Sequence, residues 1–176
     1  MIFTPAAIAG AFELGLEKRG DDRGFFARTY CAEEFKAHGL VAHYVQMNTN
    51  FTAKRGAVKG LHWQVEPHGE AKLVRCIAGR VFDVMVDMRK DSPTYLRWQG
   101  FELDARNPRL VYVPPGCAHG FQSLSDDAEI TYLVGHAYVP AAERGLRYND
   151  PAIGIVWPIP VETVSAKDAA WPDIVR

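Results

Sequence analysis

The chain has 176 residues, 48% apolar and 23% charged, with a formal net charge of −1. That length suits one domain with a single buried core, and the near-zero charge supplies no bulk field to gather nucleic acid or an anionic membrane. Three cysteines (Cys31, Cys76 and Cys117), odd in number and without Cys-x-x-Cys spacing, argue against a disulfide scaffold and against structural zinc.

The N-terminal Met1-Ile2-Phe3-Thr4-Pro5 lacks a basic leader region, and no apolar run approaches membrane-spanning length. A soluble protein of the reducing cytoplasm is expected. Cys31 to Gly39 is the best short helix, with Phe35 on its apolar side and Gly39 as its stop. Strand patterns follow at 43–50, 57–65, 71–77, 80–89, 97–104, 109–113, 118–124 and 128–138. Turn signals separate them at Gly79, Ser92-Pro93, Asn107-Pro108 and Pro114-Pro115-Gly116. In residues 80–89, Phe82, Val84, Val86 and Met88 share one face, and Asp83, Met85 and Asp87 the other. The acidic face is either a solvated outer surface, which the pattern alone favours, or a polar barrel interior that holds a ligand. In the tail, Pro151, Pro158, Pro160 and Pro172 forbid a long helix but leave room for a short one at 164–170. Many short strands with turns about every ten residues favour a sandwich or barrel.

Two stretches carry the chemistry: Ala57-Val58-Lys59-Gly60-Leu61-His62-Trp63 and Pro114-Pro115-Gly116-Cys117-Ala118-His119-Gly120. Pro-x-Gly-x-x-His resembles the second signature motif of the cupin barrels. The first cupin motif pairs two histidines, and here Gln64 stands at the second position. His62, His119 and Glu70 are the donors a first-row metal would need. Gln64 is a poor ligand and Glu70 lies beyond the usual spacing, so a metal-free pocket is preferred. There a neutral histidine is a general base, Lys72 and Arg75 are candidate partners of an oxyanion or phosphate, and Tyr132 is a candidate proton donor. Arg23, Lys54, Arg55 and Lys59 are candidate diphosphate partners; no dinucleotide-type or P-loop glycine motif is present.

Beyond these motifs, the chain from about Asp22 to Asp168 resembles the dTDP-4-dehydrorhamnose 3,5-epimerase family. The likeness is carried by Asp22-Arg23-Gly24-Phe25-Phe26, Gln46-Met47-Asn48, Lys59-Gly60-Leu61-His62, Lys72-Leu73-Val74-Arg75 and Asp83-Val84-Met85-Val86-Asp87. It continues through Ser92-Pro93-Thr94, the Pro114–Phe121 stretch, Glu143-Arg144-Gly145 and Asn149-Asp150-Pro151. The resemblance implies a mainly β, cupin (double-stranded β-helix, jelly-roll) barrel with short peripheral helices, forming one domain over residues 1–176. It implies that residues 1–50 contribute to strand exchange in a homodimer, and that the tail from about 150 packs on the barrel.

The implied activity is epimerisation at C3, C5 or both of a nucleotide-diphospho-4-keto-6-deoxyhexose for surface-polysaccharide synthesis, without cofactor or metal. By residue matching, His62 is the base, Asp168 orients it, Lys72 stabilises an enolate and Tyr132 returns the proton. Arg23, Gln46, Asn48, Lys59, His119, Tyr138, Glu143 and Lys167 match nucleotide-sugar contacts, with Arg23 serving the neighbouring subunit's site.

Three positions depart from the family pattern: Lys59 replaces an arginine, Arg28 replaces a glutamate near the nucleotide site, and Leu133 replaces a lysine. They keep a CDP- or GDP-linked keto-sugar in view, together with a related 3,4-ketoisomerase. A metal-dependent cupin oxygenase is the more distant rival.

Overall fold

The computed structural model of the protein describes residues 1–174. In chain order its elements are strands β1 (Ile2–Pro5), β2 (Phe12–Gly15), β3 (Arg19–Asp21) and β4 (Gly24–Phe26), then helix α1 (Ala32–Ala37). Strands β5 (Gln46–Thr52), β6 (Ala57–Gln64), β7 (Lys72–Ala78), β8 (Arg80–Asp87), β9 (Trp98–Asp104) and β10 (Arg109–Val113) follow. Next come β11 (Cys117–Ser123), β12 (Ala128–Val134), a 3-10 turn at Pro140–Ala142, β13 (Glu143–Gly145), β14 (Thr163–Val164) and α2 (Ala166–Ala169). No helix among the described residues is long and apolar enough to cross a membrane.

Two sheets form the jelly roll. The first runs β1-β2-β10-β7-β12-β5; the second runs β13-β6-β11-β8-β9, with β14 added in parallel alongside β6. Period-2 alternation sends one side-chain set of each strand between the sheets. Val74, Cys76, Val111 and Ile130 of the first sheet meet Val81, Met85, Phe101, Leu103 and Phe121 of the second there. Part of the outer face of the first sheet, over β2, β7 and β10, is covered by α1, whose Phe35 is wholly buried with Leu14, Leu73 and Leu110. Burying that one ring contributes roughly 2 kcal/mol. On the outer face of the second sheet, Leu61, Val84, Val86 and Ala118 are covered by Leu146, Tyr148, Ile153, Ile155 and Trp157 of the proline-rich tail.

The eight predicted strands all form, with ends displaced by up to four residues. Strand β12 stops at Val134 rather than 138, because the chain turns out of the ladder at Gly135. The segments at β1–β4, β13 and β14 run only two to four residues, too short for alternation to register in the sequence.

The solvated reading of the acidic face of β8 is corrected. Phe82, Val84, Val86 and Met88 face outward beneath the tail, and Asp83 and Asp87 are fully buried. The tail covers the apolar face, so the carboxylates are left to the inside, where each must find a partner. Asp83 accepts from His119. Asp87 accepts from the Arg89 side chain at 2.8 Å and from Thr94 Oγ1 at 2.6 Å, which makes it a structural anchor rather than a ligand holder. Burial alone would raise its pKa, but the hydrogen bonds from Arg89, Ser92 and Thr94 outweigh it and hold the carboxyl at about 2.

A carboxylate with a depressed folded pKa contributes stability that is present above its unfolded value and fades as pH falls through the folded one. Asp87 therefore contributes on the order of 2 kcal/mol at neutral pH, lost between about pH 4 and pH 2. Urea unfolding from pH 7 down through that range should show Asp87→Asn less stable at pH 7 and less sensitive to acid than the wild type. Equal stability at pH 7 would remove Asp87 from this role.

Candidate active site

A cavity of about 570 Å³ opens between the sheets at one end of the barrel. Strands β6 and β11 line one wall with Lys59, His62, Gln64 and His119; β5, β7 and β12 line the other with Gln46, Asn48, Lys72 and Tyr132.

The first wall depends on two glycines. A Cβ on Gly60 would lie 2.7 Å from the His119 carbonyl oxygen, and one on Gly120 would lie 2.6 Å from that of Lys59. Only bare backbones approach this closely. The contact coincides with a register shift between His119 and Phe121, and it leaves His62 and His119 as direct cross-strand partners. Both imidazoles thus stand on one face, each with its own carboxylate. His62 Nε2 is 2.6 Å from Asp168 Oδ1, and His119 Nε2 is 2.8 Å from Asp83 Oδ2.

Asp168 arrives from the far end of the chain. Strand β14 lies parallel to the start of β6, and the Ser165 Oγ then caps α2 by accepting the Asp168 backbone N–H at 3.0 Å. The carboxylate also accepts the Gly60 N–H at 3.2 Å. Burial works to raise the Asp168 pKa, but the His62 hydrogen bond and charge, with the Gly60 N–H, prevail and leave it lowered. Asp168 is therefore anionic at neutral pH, and it fixes the orientation of the His62 ring through Nε2.

On the facing wall, Lys72 Nζ donates to the His62 carbonyl oxygen at 3.1 Å and pairs with Glu70 at 3.0 Å. The Tyr132 hydroxyl has no hydrogen-bond partner among the described residues; burial, and then Glu70, push its pKa above the ordinary value. Gln64, at the position of the missing cupin histidine, is buried and fully engaged. Its amide nitrogen lies within reach of the His68 and Ala137 carbonyl oxygens at 3.2 Å and of Glu70 at 3.3 Å. Its amide oxygen accepts the Val139 N–H at 2.6 Å. The side chain braces two loops at the cavity mouth, and those commitments explain an amide where cupins place an imidazole. Glu70, the third candidate metal donor, is held by Lys72. No group of three His, Cys, Asp or Glu side chains converges to hold a metal among the described residues.

At the rim, Glu143 accepts from Tyr138 at 2.9 Å and from Lys167 at 2.7 Å. Burial opposes its ionisation, and the bonds from Lys167 and Tyr138 overcome it. Elsewhere on the lining, Lys59 Nζ donates to Asn50 Oδ1 at 2.6 Å and to the Phe51 carbonyl oxygen at 2.8 Å, and burial lowers its pKa. Eleven of the twelve predicted site residues meet at this cavity and its rim. The exception is Arg23, which sits on the exposed β3–β4 hairpin with 89% of its side chain in solvent and pairs with Asp21.

Four other cations also stand elsewhere. Arg75 has the opposite parity to Lys72 on β7 and leaves by the outer face. Neither Lys54 nor Arg55 lines the cavity; the Arg55 guanidinium donates to the Leu124 carbonyl oxygen, and its backbone N–H to Asp126. Arg28, expected near the nucleotide site, pairs within this chain with Glu34 of α1, which also binds the N-terminal ammonium. Sequence reasoning missed the bracing by Gln64 and the pairing of Asp83 with His119. Only the strict alternation of β8 hinted at the latter.

The arrangement offers a carboxylate-backed imidazole on one wall, and a protonated phenol and the Lys72 amine on the other. Such a set can remove a proton from one face of a carbon and return one to the opposite face. Comparison with known proteins agrees. The family model described as dTDP-4-dehydrorhamnose 3,5-epimerase matches residues 5–175. The chain belongs to this epimerase family. The dTDP-4-dehydrorhamnose 3,5-epimerase of Shigella flexneri is 45% identical over 150 residues, covering 85% of this chain and 82% of its own. The crystal structure of the epimerase from Elizabethkingia anophelis NUHP1 superposes with a TM-score of 0.95 at 36% identity, covering 98% of this chain and 96% of that one. The dTDP-6-deoxy-D-glucose-3,5-epimerase of Legionella pneumophila, solved with dTDP-4-keto-L-rhamnose, gives 0.88 at 36% identity, with 97% and 90% covered. Membership bears out the cupin jelly roll and the isomerase class.

Replacing Gln64 by leucine would strand the carbonyls of His68 and Ala137 and the N–H of Val139. A loss of about 2–4 kcal/mol in urea unfolding is expected of this epimerase, since buried groups lose partners. A change below about 0.5 kcal/mol would show that the loops do not need the amide.

Proposed function

We propose that the protein inverts C3 and C5 of a dTDP-linked 4-keto-6-deoxyhexose by proton transfer, in synthesis of a deoxysugar for a surface polysaccharide. The observation that carries this reading is the placement of the His62–Asp168 pair and the unpartnered Tyr132 hydroxyl on facing walls of one cavity. A hydrogen on C3 or C5 is acidified by the C4 ketone between them. His62 takes it, and the ionised Asp168 stabilises the imidazolium that forms. The electron pair moves onto the ketone oxygen, where Lys72 offsets the negative charge. Tyr132, kept protonated by its raised pKa, donates to the opposite face and inverts the carbon. Gln46, Asn48, Lys59, His119, Tyr138, Glu143 and Lys167 hold the nucleotide sugar. The dTDP sugars named for the relatives favour deoxythymidine over CDP- or GDP-linked substrates, and epimerisation over 3,4-ketoisomerisation.

The active unit is a homodimer in which each β3–β4 hairpin carries Arg23 into its neighbour's cavity. Support comes from exposed apolar side chains on that hairpin, Phe25 and Phe26, and on the outer face of the first sheet, Met47, Phe51 and Ile77. Three free cysteines suit the cytoplasm.

NMR in D2O with dTDP-4-keto-6-deoxyglucose should show deuterium at C3 and C5. His62→Ala should abolish it, with dTDP affinity within about threefold of wild type. Tyr132→Phe should retain exchange while losing inverted product. Exchange by His62→Ala, or normal product from Tyr132→Phe, would overturn the respective role.

Arg23→Ala and His62→Ala, each inactive alone, should complement when unfolded and refolded together. Random pairing gives half heterodimers with one intact site each, hence about a quarter of wild-type activity. No recovery from mixed dimers would place Arg23 outside the neighbouring site.

A further inference from the structure

We propose that Trp171 is a positioning residue for the His62 base, seated in a slot that Gly145 leaves open beside the imidazole. The inference rests on the assignment of His62 as base. Strand β13 pairs with β6 so that Glu143 stands opposite Gln64 and Gly145 opposite His62. Directly opposed residues project to the same face, their Cβ atoms about 5 Å apart. Glu143, Gln64 and His62 all line the cavity, so a side chain at position 145 would stand on that same face, next to the imidazole. Gly145 has none, and the space is filled from elsewhere. A Cβ there would lie 2.0 Å from Trp171 Cε2, 2.1 Å from Nε1 and 2.3 Å from Cδ2. The indole thus lies flat on the glycine. It meets the His62 ring edge-on, with centroids 6.4 Å apart and an interplanar angle of 64°.

The imidazole is therefore bracketed by two residues three apart in the same tail segment. Asp168 holds Nε2 through a hydrogen bond, and Trp171 bounds the ring from the side. The tryptophan is not itself a lining residue of the cavity, so it acts through His62. Its indole N–H is buried with no hydrogen-bond partner among the described residues. Shape rather than a polar contact keeps the ring in place. The wall denies His62 rotamers that leave Asp168, and it keeps water from that side of the pair. Proton transfer needs the base held within a fraction of an ångström, so loss of the wall should appear in turnover rather than in binding.

The test uses the full chain, with kcat, KM, dTDP affinity and thermal unfolding measured for Trp171→Ala, Trp171→Phe and Gly145→Ala. Trp171→Ala should lower kcat about tenfold or more, with KM and dTDP affinity within about twofold. Trp171→Phe should restore most of the rate, because a flat ring fills the slot without the unpaired N–H. Gly145→Ala should lower kcat by displacing the indole. A folded Trp171→Ala with wild-type kcat, or a Phe variant as slow as the Ala variant, would overturn the proposal. Should Trp171→Ala fail to fold, full turnover by Gly145→Ala would overturn it equally. Wild-type kcat in Trp171→Ala beside an inactive His62→Ala would defeat this inference alone; full activity of His62→Ala would defeat the base assignment with it.

Discussion

The approach of β6 to β11 at Gly60 and Gly120 is the contact on which the site depends. A side chain at either position would hold the two strands apart and shift the histidines out of register. With both bare, His62 and His119 stand side by side on the inner face, and the bond from the Gly60 N–H draws in the Asp168 carboxylate as well. The same close packing lets the outer side of β6 and β11 bury Leu61 and Ala118 beneath the tail. That cover in turn fixes where Asp168 can reach. A local backbone constraint thus propagates through packing to the chemistry.

Charge in this barrel is arranged in short, buried pairs rather than spread as a field. Asp168 with His62, Asp83 with His119, Glu70 with Lys72 and Asp87 with Arg89 each place a carboxylate against a nitrogen within about 3 Å. Removing such groups from water is costly, and the hydrogen bonds in each pair offset that cost. Asp87 uses its pair to anchor a strand end. In the proposed mechanism two of the others place reacting groups: Asp168, its pKa lowered, orients the His62 base, and Glu70 holds Lys72 where the oxyanion develops. Tyr132 is the exception, a phenol with no hydrogen-bond partner among the described residues and kept neutral by burial. In the proposed mechanism, the acid that serves the opposite face of the sugar needs a hydroxyl not already committed.

Much of this was legible in the sequence, for identifiable reasons. Clean alternation in residues 80–89, and punctuation by Gly79, Pro93 and Pro114–Gly116, are local signals that mark strands whatever surrounds them. The glycine–histidine motifs are local too, because close backbone approach demands glycine at fixed offsets. Hence the jelly roll, the two histidines and most of the lining residues were within reach of the residues and the family they resemble.

The direction in which a strand faces was not local. The alternation of β8 determined that Asp83 and Asp87 share a face, yet only the packing of Tyr148, Ile155 and Trp157 over Val84 and Val86 decided that this face is the interior. Likewise, the chain marks Gln64 as a departure from the cupin pattern, but the loops at His68 and Ala137 decide what the amide does. Arg23 and Arg75 are cations in motifs, and strand parity and the position of the hairpin keep both out of this chain's cavity. Trp171 and Gly145 lie 26 residues apart, and neither marks a site alone. Periodicity and glycine placement are written in neighbouring residues; burial, partners and the filling of a glycine's empty slot come from segments that meet only when the chain has folded.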